Sequence, residues 1–225
     1  MKNENYKCKI IKLKSLIVIL ITACISITSH SDSLAQSNVQ TWSSIMLSGE
    51  IGDRLTFGVR PMVRYESTYG DYNLTSLDLM VKYKFDNGFS AFILQRHAVR
   101  DDGIRRNLIL MDLRHSFQLM KGIIMTNSIR WHLAHDIEID DPNFMCYLGT
   151  LKIFPKNFIS SFIGIQYFHR LDGINELSRI RYRAGINYKI TPKWKISIRL
   201  WNTKKLQETG STNSYVILPS LIYSL

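Results

Sequence analysis

The densest chemistry in this chain is a set of cations at alternate positions: Arg179, Arg181 and Arg183, then Lys195 and Arg199 after the turn Thr191-Pro192-Lys193. Residues two apart on an extended strand face the same way, so these five side chains share one face of a hairpin. The chemistry such a face offers is attraction of anions by guanidinium and ammonium groups whose fields add. Its other face carries Ile180, Tyr182, Ala184, Ile186, Tyr188 and Ile190, then Trp194, Ile196, Ile198 and Leu200. The hairpin is cationic on one side and apolar on the other.

The same rule applied along the chain adds Arg60, Arg64, Lys82, Lys84, Arg114, Arg130 and Lys189 to the polar face, against the acids Glu66, Asp78 and Asp112. Two readings of that face stay open. It is either a surface that draws anionic solutes, or a wall of arginines solvated by water and partly paired, with Asp78 and Asp112 the acids available to the ladder of residues 179–183.

His97, His115, His132, His135 and His169 invite a hydrolase reading, which needs a histidine beside a serine and a third orienting group. No Gly-x-Ser-x-Gly occurs. His132 and His135 are three apart on a strand, so they point to opposite faces and cannot share a metal as they would on a helix. The sequence predicts no catalytic residue, no metal site and no cofactor.

What must position the cations is a series of two-faced strands. Leu55, Phe57, Val59, Val63 and Tyr65 oppose Thr56, Gly58, Arg60, Arg64 and Glu66, and similar alternation fills residues 75–85, 107–119 and 123–135. Residues 89–98, 143–154 and 158–170 carry apolar side chains on both faces, so their orientation is open. In the last, Ile159, Ile163, Ile165 and Tyr167 are expected to face out. Together with residues 40–51 and 215–225, eleven segments emerge. Short turns (52–54, 86–88, 121–122, 155–157, 191–193) alternate with longer polar connections (67–73, 99–106, 136–142, 171–176, 203–213).

Strict short and long alternation belongs to barrels that cross an outer membrane, whose tilted strands need about 9–11 residues where globular strands run to about 5–6. Cost fixes the facing: an arginine meeting lipid near the midplane costs roughly 2–4 kcal/mol, and three such residues on one strand exclude that orientation. The arginines therefore point inward. The expected fold is an all-β, transmembrane, antiparallel up-and-down β-barrel of about 10–12 strands. An odd segment count then requires a missed strand, a first segment outside the wall, or ends that pair in parallel.

The N-terminus has five lysines, an apolar run at residues 15–27 and a small-residue site ending at Ala35, the order of a secretory signal. The division is then a signal at residues 1–35 and a barrel at residues 36–225. Ile21-Thr22-Ala23-Cys24 offers a lipoprotein-type alternative. Loss of residues 1–35 removes five lysines and two acids, which takes the formal net charge from +11 to +8 and leaves Cys146 as the sole cysteine. No internal disulfide is then possible.

The C-terminal alternation Tyr215, Ile217, Pro219, Leu221, Tyr223, Leu225 resembles the terminal strand that outer-membrane assembly machinery recognises, although its last residue is a leucine rather than an aromatic. With Trp42 in the first strand, the turn Gly52-Asp53-Arg54, the strand reaching Arg64-Tyr65 and the repeated Arg-Tyr and Tyr-Lys strands, the chain resembles the barrels of the domain of unknown function 2490 family. The resemblance spans residues 39–225. It implies a Gram-negative outer membrane and supplies no catalytic residues.

The expected role is a passive channel or binding barrel for small anionic solutes. A barrel that binds or modifies lipid or lipopolysaccharide, or a structural barrel without transport, is the alternative. Arg105, Arg106, Lys204 and Lys205 are expected as loop cations that could meet lipid A phosphates. Cations spaced along exported strands have no access to nucleic acid, so that partner is excluded.

Overall fold

The computed structural model describes residues 38–66, 71–134, 143–171, 176–206 and 213–225. The expected signal with Cys24 and Ala35, most of the longer connections, and His135 lie outside the described residues.

Eleven strands form a closed barrel: β1 (Asn38–Ile51), β2 (Leu55–Glu66), β3 (Asp71–Lys84), β4 (Phe89–Arg100), β5 (Arg105–Met120), β6 (Ile123–Ala134), β7 (Phe144–Lys156), β8 (Ile159–Arg170), β9 (Leu177–Lys189), β10 (Trp194–Lys205) and β11 (Asn213–Ser224). Chain neighbours pair antiparallel, and β1 closes on β11 in parallel, with Asn38 opposite Ser214 and Ser48 opposite Ser224. Of the three ways to accommodate an odd count, the chain uses parallel ends. Several strands outrun the apolar alternation, as β3 does by starting at Asp71, because the ladder of backbone hydrogen bonds continues past the apolar band.

Exposure fixes the facing. Leu77, Leu79 and Val81 are 41%, 43% and 48% exposed, whereas the intervening Ser76, Asp78 and Met80 are 2%, 0% and 7%. The apolar set faces the membrane and the alternate set faces the lumen, in every strand as the cost of a lipid-facing arginine requires. The three open segments settle by the same parity. β4 sends Ser90, Phe92, Leu94, Arg96 and Ala98 inward, β7 sends Phe144, Cys146, Leu148 and Lys152 inward, and β8 sends Phe162, Gln166 and Phe168 inward.

Neighbouring strands 4.7–4.9 Å apart and tilted by about 40° give an eleven-stranded wall a radius of roughly 10 Å at the backbone. Side chains fill much of that space. Met80, Leu94 and Leu110 pack together inside, with Met46 and Phe92 against them. Phe144, Cys146 and Phe168 form a second internal cluster.

One tight turn shows how the short end is made. Asn87 and Gly88 both have positive φ, 57° and 80°, and the Phe89 N–H donates to the Asp86 carbonyl at 3.3 Å. Positive φ at both central residues is the two-residue hairpin conformation whose twist matches the strands it joins. A side chain at position 88 would run into the Ser116 carbonyl.

The facing predicts a labelling pattern. Single cysteines replacing Asn187 and Lys189 are expected to react with a water-soluble thiol reagent in reconstituted vesicles, and those replacing Ile180, Tyr182 and Ile186 to stay unreacted. The reverse pattern would turn the barrel inside out.

Candidate functional site: the cationic lumen

The inner wall divides into a sector whose arginines share two carboxylates and a sector whose arginines have none among the described residues. In the first, Asp78 on β3 lies fully buried between its direct cross-strand partners Arg60 on β2 and Arg96 on β4. Arg60 Nε donates to Oδ2 at 3.0 Å, while Arg96 donates through Nε to Oδ1 at 2.7 Å and through Nη2 to Oδ2 at 3.0 Å. Asp112 on β5 repeats the arrangement, its Oδ2 accepting from Arg114 Nε at 2.9 Å and from Arg130 Nε at 3.0 Å. Each carboxylate holds two guanidinium forks, a charge-assisted geometry that arginine supplies and lysine does not. At the end with the long connections, Arg64 pairs with Glu66 at 3.2 Å and lies over the Trp42 ring at 5.2 Å.

The other sector is built on β9 and β10, where Arg181, Arg183 and Arg199 make no ion pair among the described residues. Arg181 donates through Nε to Thr203 Oγ1 at 2.9 Å and sits between the rings of Phe168 and Trp201, at 4.9 and 4.7 Å. Arg199 Nε donates to the hydroxyl of Ser197, at 3.2 Å. Arg183 lies over Trp201 at 5.5 Å, and its buried Nε has no hydrogen-bond partner among the described residues. Aromatic faces and hydroxyls hold these cations in place without cancelling their charge.

The two sectors meet across the narrow lumen. Arg183 lies in the repulsive field of Arg130, Arg199, Arg181 and Arg114, and Arg199 in that of Arg60 and Arg114. Arg60, Arg96, Arg114, Arg130, Arg181, Arg183 and Arg199 thus share the middle of the barrel with Asp78 and Asp112, seven positive charges against two negative. Such an excess in a confined space favours occupation by anions.

The predicted site residues are all on the lumen wall, but not as one ladder. Arg181 and Arg183 face Thr203 and Trp201 across the hairpin, and Arg199 faces Gly185, so the cations of the two strands are interleaved with uncharged residues. Lys195 sits beside Lys189 at the short-turn end, and Arg179 lies over Phe144 at 4.4 Å near the other. Asp78 and Asp112 do not pair with the residues of β9: Asp78 is held by arginines of the two adjacent strands, and Asp112 by Arg114 of its own strand and Arg130 of the next. Of the cations expected in loops, Arg105 and Arg106 belong to β5 and Lys204 and Lys205 to β10, and Arg106 lines a lumen cavity of about 140 Å³ with Trp42, Arg64 and Arg96.

Sequence reading missed Arg96 and Lys152. Both lie on strands with apolar residues on both faces, yet the cost of placing a cation in lipid would have assigned those faces.

Of the histidines, His132 faces the lumen edge-on to Phe168 at 5.9 Å, and His115 stacks on Phe89 at 4.4 Å. His97 Nδ1 lies 2.6 Å from Asn107 Oδ1. Among the described residues no group of three histidine, cysteine or acidic side chains could hold a metal.

Fold and site together define a transmembrane β-barrel with an arginine-rich lumen. No family model matches the chain and no curated protein does. Among solved structures it is similar to a KdgM porin, at 12% identity and a TM-score of 0.45, covering 70% of this chain and 81% of that one. It is also similar to a KdgM porin in complex with disordered oligogalacturonate, at 14% identity and a TM-score of 0.46 with the same coverage. What this lumen can take is read from its own side chains.

Proposed function

We propose that this protein is an outer-membrane barrel that binds and passes small anionic solutes. The observation that carries the reading is the group Arg181, Arg183 and Arg199: three lumen cations held by hydroxyls and aromatic rings, with no carboxylate among the described residues to cancel them. A wall needing arginine only for rigidity would pair these as it pairs Arg60 and Arg96. The side-chain clusters inside make the passage narrow, so solutes shed part of their hydration and meet the guanidinium groups at close range, where low local dielectric strengthens the contact. The signal-like N-terminus, the alternating C-terminal strand and the resemblance to the domain of unknown function 2490 barrels support export, assembly and residence in a Gram-negative outer membrane, in contact with its lipid and lipopolysaccharide.

The test is conductance across a planar bilayer under a salt gradient. A small, anion-preferring conductance is expected, lowered by inorganic phosphate competing for the arginines. A cation-preferring conductance, or none at all from heat-modifiable protein, would remove the reading.

A further inference from the structure

Strand pairing is continuous through the middle of the barrel except on the two sides of β1. Toward β2, Ser44 pairs with Met62 and Leu47 with Val59, but the positions between them, which include Pro61, are unpaired. Toward β11, Thr41 pairs with Ile217 and Ser44 with Ser220, and the gap between them contains Pro219. Each proline keeps unbroken pairing on its far side, Pro61 with Leu77 and Pro219 with Ile198. Proline has no N–H to give, and in both strands the missing donor falls on the edge that faces β1. Both prolines lie near the middle of their strands. Each ladder of β1 is therefore interrupted over two positions near the strand's middle, on either side of Ser44, which pairs with both neighbours.

A depression of about 530 Å³ opens on the membrane side at this place, lined by Ser43, Ile45, Pro61, Val63, Pro219 and Leu221. Its lining also includes Ser44, Met62 and Ser220, whose side chains belong to the lumen face, so the wall is thin there. Behind it the lumen surface carries Met46, Met62 and Leu218 beside the hydrogen-bonded pair Ser44 and Ser220, and the direct cross-strand partner of Leu218 is Arg199. A hydrocarbon groove outside, an interrupted seam and, inside, a cation with no ion-pair partner among the described residues lie in sequence.

We propose that the β1 seam binds the chain of a single-chain amphiphilic anion, of the fatty-carboxylate class, whose head is taken by Arg199 while its tail lies in the groove between Pro61 and Pro219. The bilayer surrounding the groove presents such chains directly, and a space of this size suits one small ligand rather than a many-chained lipid. The head's place rests on the reading of the lumen as an anion site. The seam rests on the pairing gaps alone.

The probe is a long-chain fatty acid carrying a diazirine on its tail, photolysed with the detergent-solubilised barrel and mapped by mass spectrometry. Adducts are expected to concentrate on Ser43, Ile45, Val63 and Leu221, with others on Met46 and Leu218. Ser44 and Ser220 face each other with hydroxyl oxygens 2.8 Å apart, so in a Cys146→Ser background the pair Ser44→Cys and Ser220→Cys can lock β1 to β11. The oxidised lock should lower the Met46 and Leu218 adducts several-fold, and reduction should restore them. Arg199→Gln should lower labelling of the whole seam several-fold. Adducts spread evenly around the outer face, or lumen-side adducts indifferent to the lock, would overturn the seam. Seam labelling unchanged by Arg199→Gln would overturn the head assignment. Anion preference in bilayers is measured on the same protein, so loss of the seam with that preference intact leaves the channel reading standing.

Discussion

Asp78→Asn is expected to destabilise the barrel by about 3–5 kcal/mol, the cost of leaving buried charge without its partner. The measurement is the temperature at which the compact, unboiled form converts to the unfolded form on a denaturing gel, which should fall clearly. The reason lies in the geometry: the carboxylate is completely buried, and its two oxygens serve guanidinium groups from the strands on either side, Arg60 and Arg96. Asparagine keeps the volume but supplies one neutral acceptor, so two like charges are left facing each other across β3. Replacing Arg96 by methionine in the same chain removes one of those charges, and the double variant is expected to recover part of the loss. Equal stability of wild type and Asp78→Asn would mean that lumen water already screens the pair. Asp112→Asn tests the same physics between Arg114 and Arg130, on strands β5 and β6.

These pairs mark how far the sequence can be read. Eleven segments, and the facing of those that alternate cleanly, follow from the sequence because lipid tolerates no row of arginines, whereas residues 89–98, 143–154 and 158–170 take their facing from the closed barrel. The ion pairs were harder to see, although they carry a signal: Arg60 and Asp78, Asp78 and Arg96, and Asp112 and Arg130 are each separated by 18 residues. That interval is the distance around a hairpin between opposed positions, and opposite charges recurring at it point to cross-strand pairs.

The register of β9 on β10 was less legible, since a single residue in the turn at residues 190–193 decides which side chains meet. Placing Trp201 rather than a cation opposite Arg183 changes the site from a ladder to a cluster with aromatic supports. Closure by parallel ends was open for another reason: it joins segments at opposite termini, and no local pattern connects them. The apolar clusters inside were hidden because alternation is read by assuming that the lumen is polar. Met80, Leu94 and Leu110 instead use the narrow interior as a small core.

Removing charge from the β9–β10 sector is the variant set that bears most directly on function. Arg183→Gln together with Arg199→Gln is expected to reduce the anion-to-cation permeability ratio by about tenfold or more, because each withdrawn charge contributes on the order of 1 kcal/mol to an ion about 4 Å away even at the dielectric of water. Neither arginine has an ion-pair partner among the described residues, so their loss leaves no carboxylate exposed and relieves repulsion against Arg60, Arg114 and Arg130. The heat-modifiable form should therefore persist at the wild-type temperature or above it, which separates a change in permeation from a failure to fold. Arg181→Glu goes further by reversing one charge between the rings of Phe168 and Trp201. It is expected to lower anion preference on its own, at the same protein yield. The carboxylate-paired sector provides the contrast. Arg60→Gln leaves Asp78 still held by Arg96, and its effect on selectivity should be smaller than that of Arg199→Gln, since the charge it removes was partly offset by the Asp78 carboxylate. If both variants shift the permeability ratio equally, the division of the lumen into paired and unpaired sectors has no bearing on which ions pass.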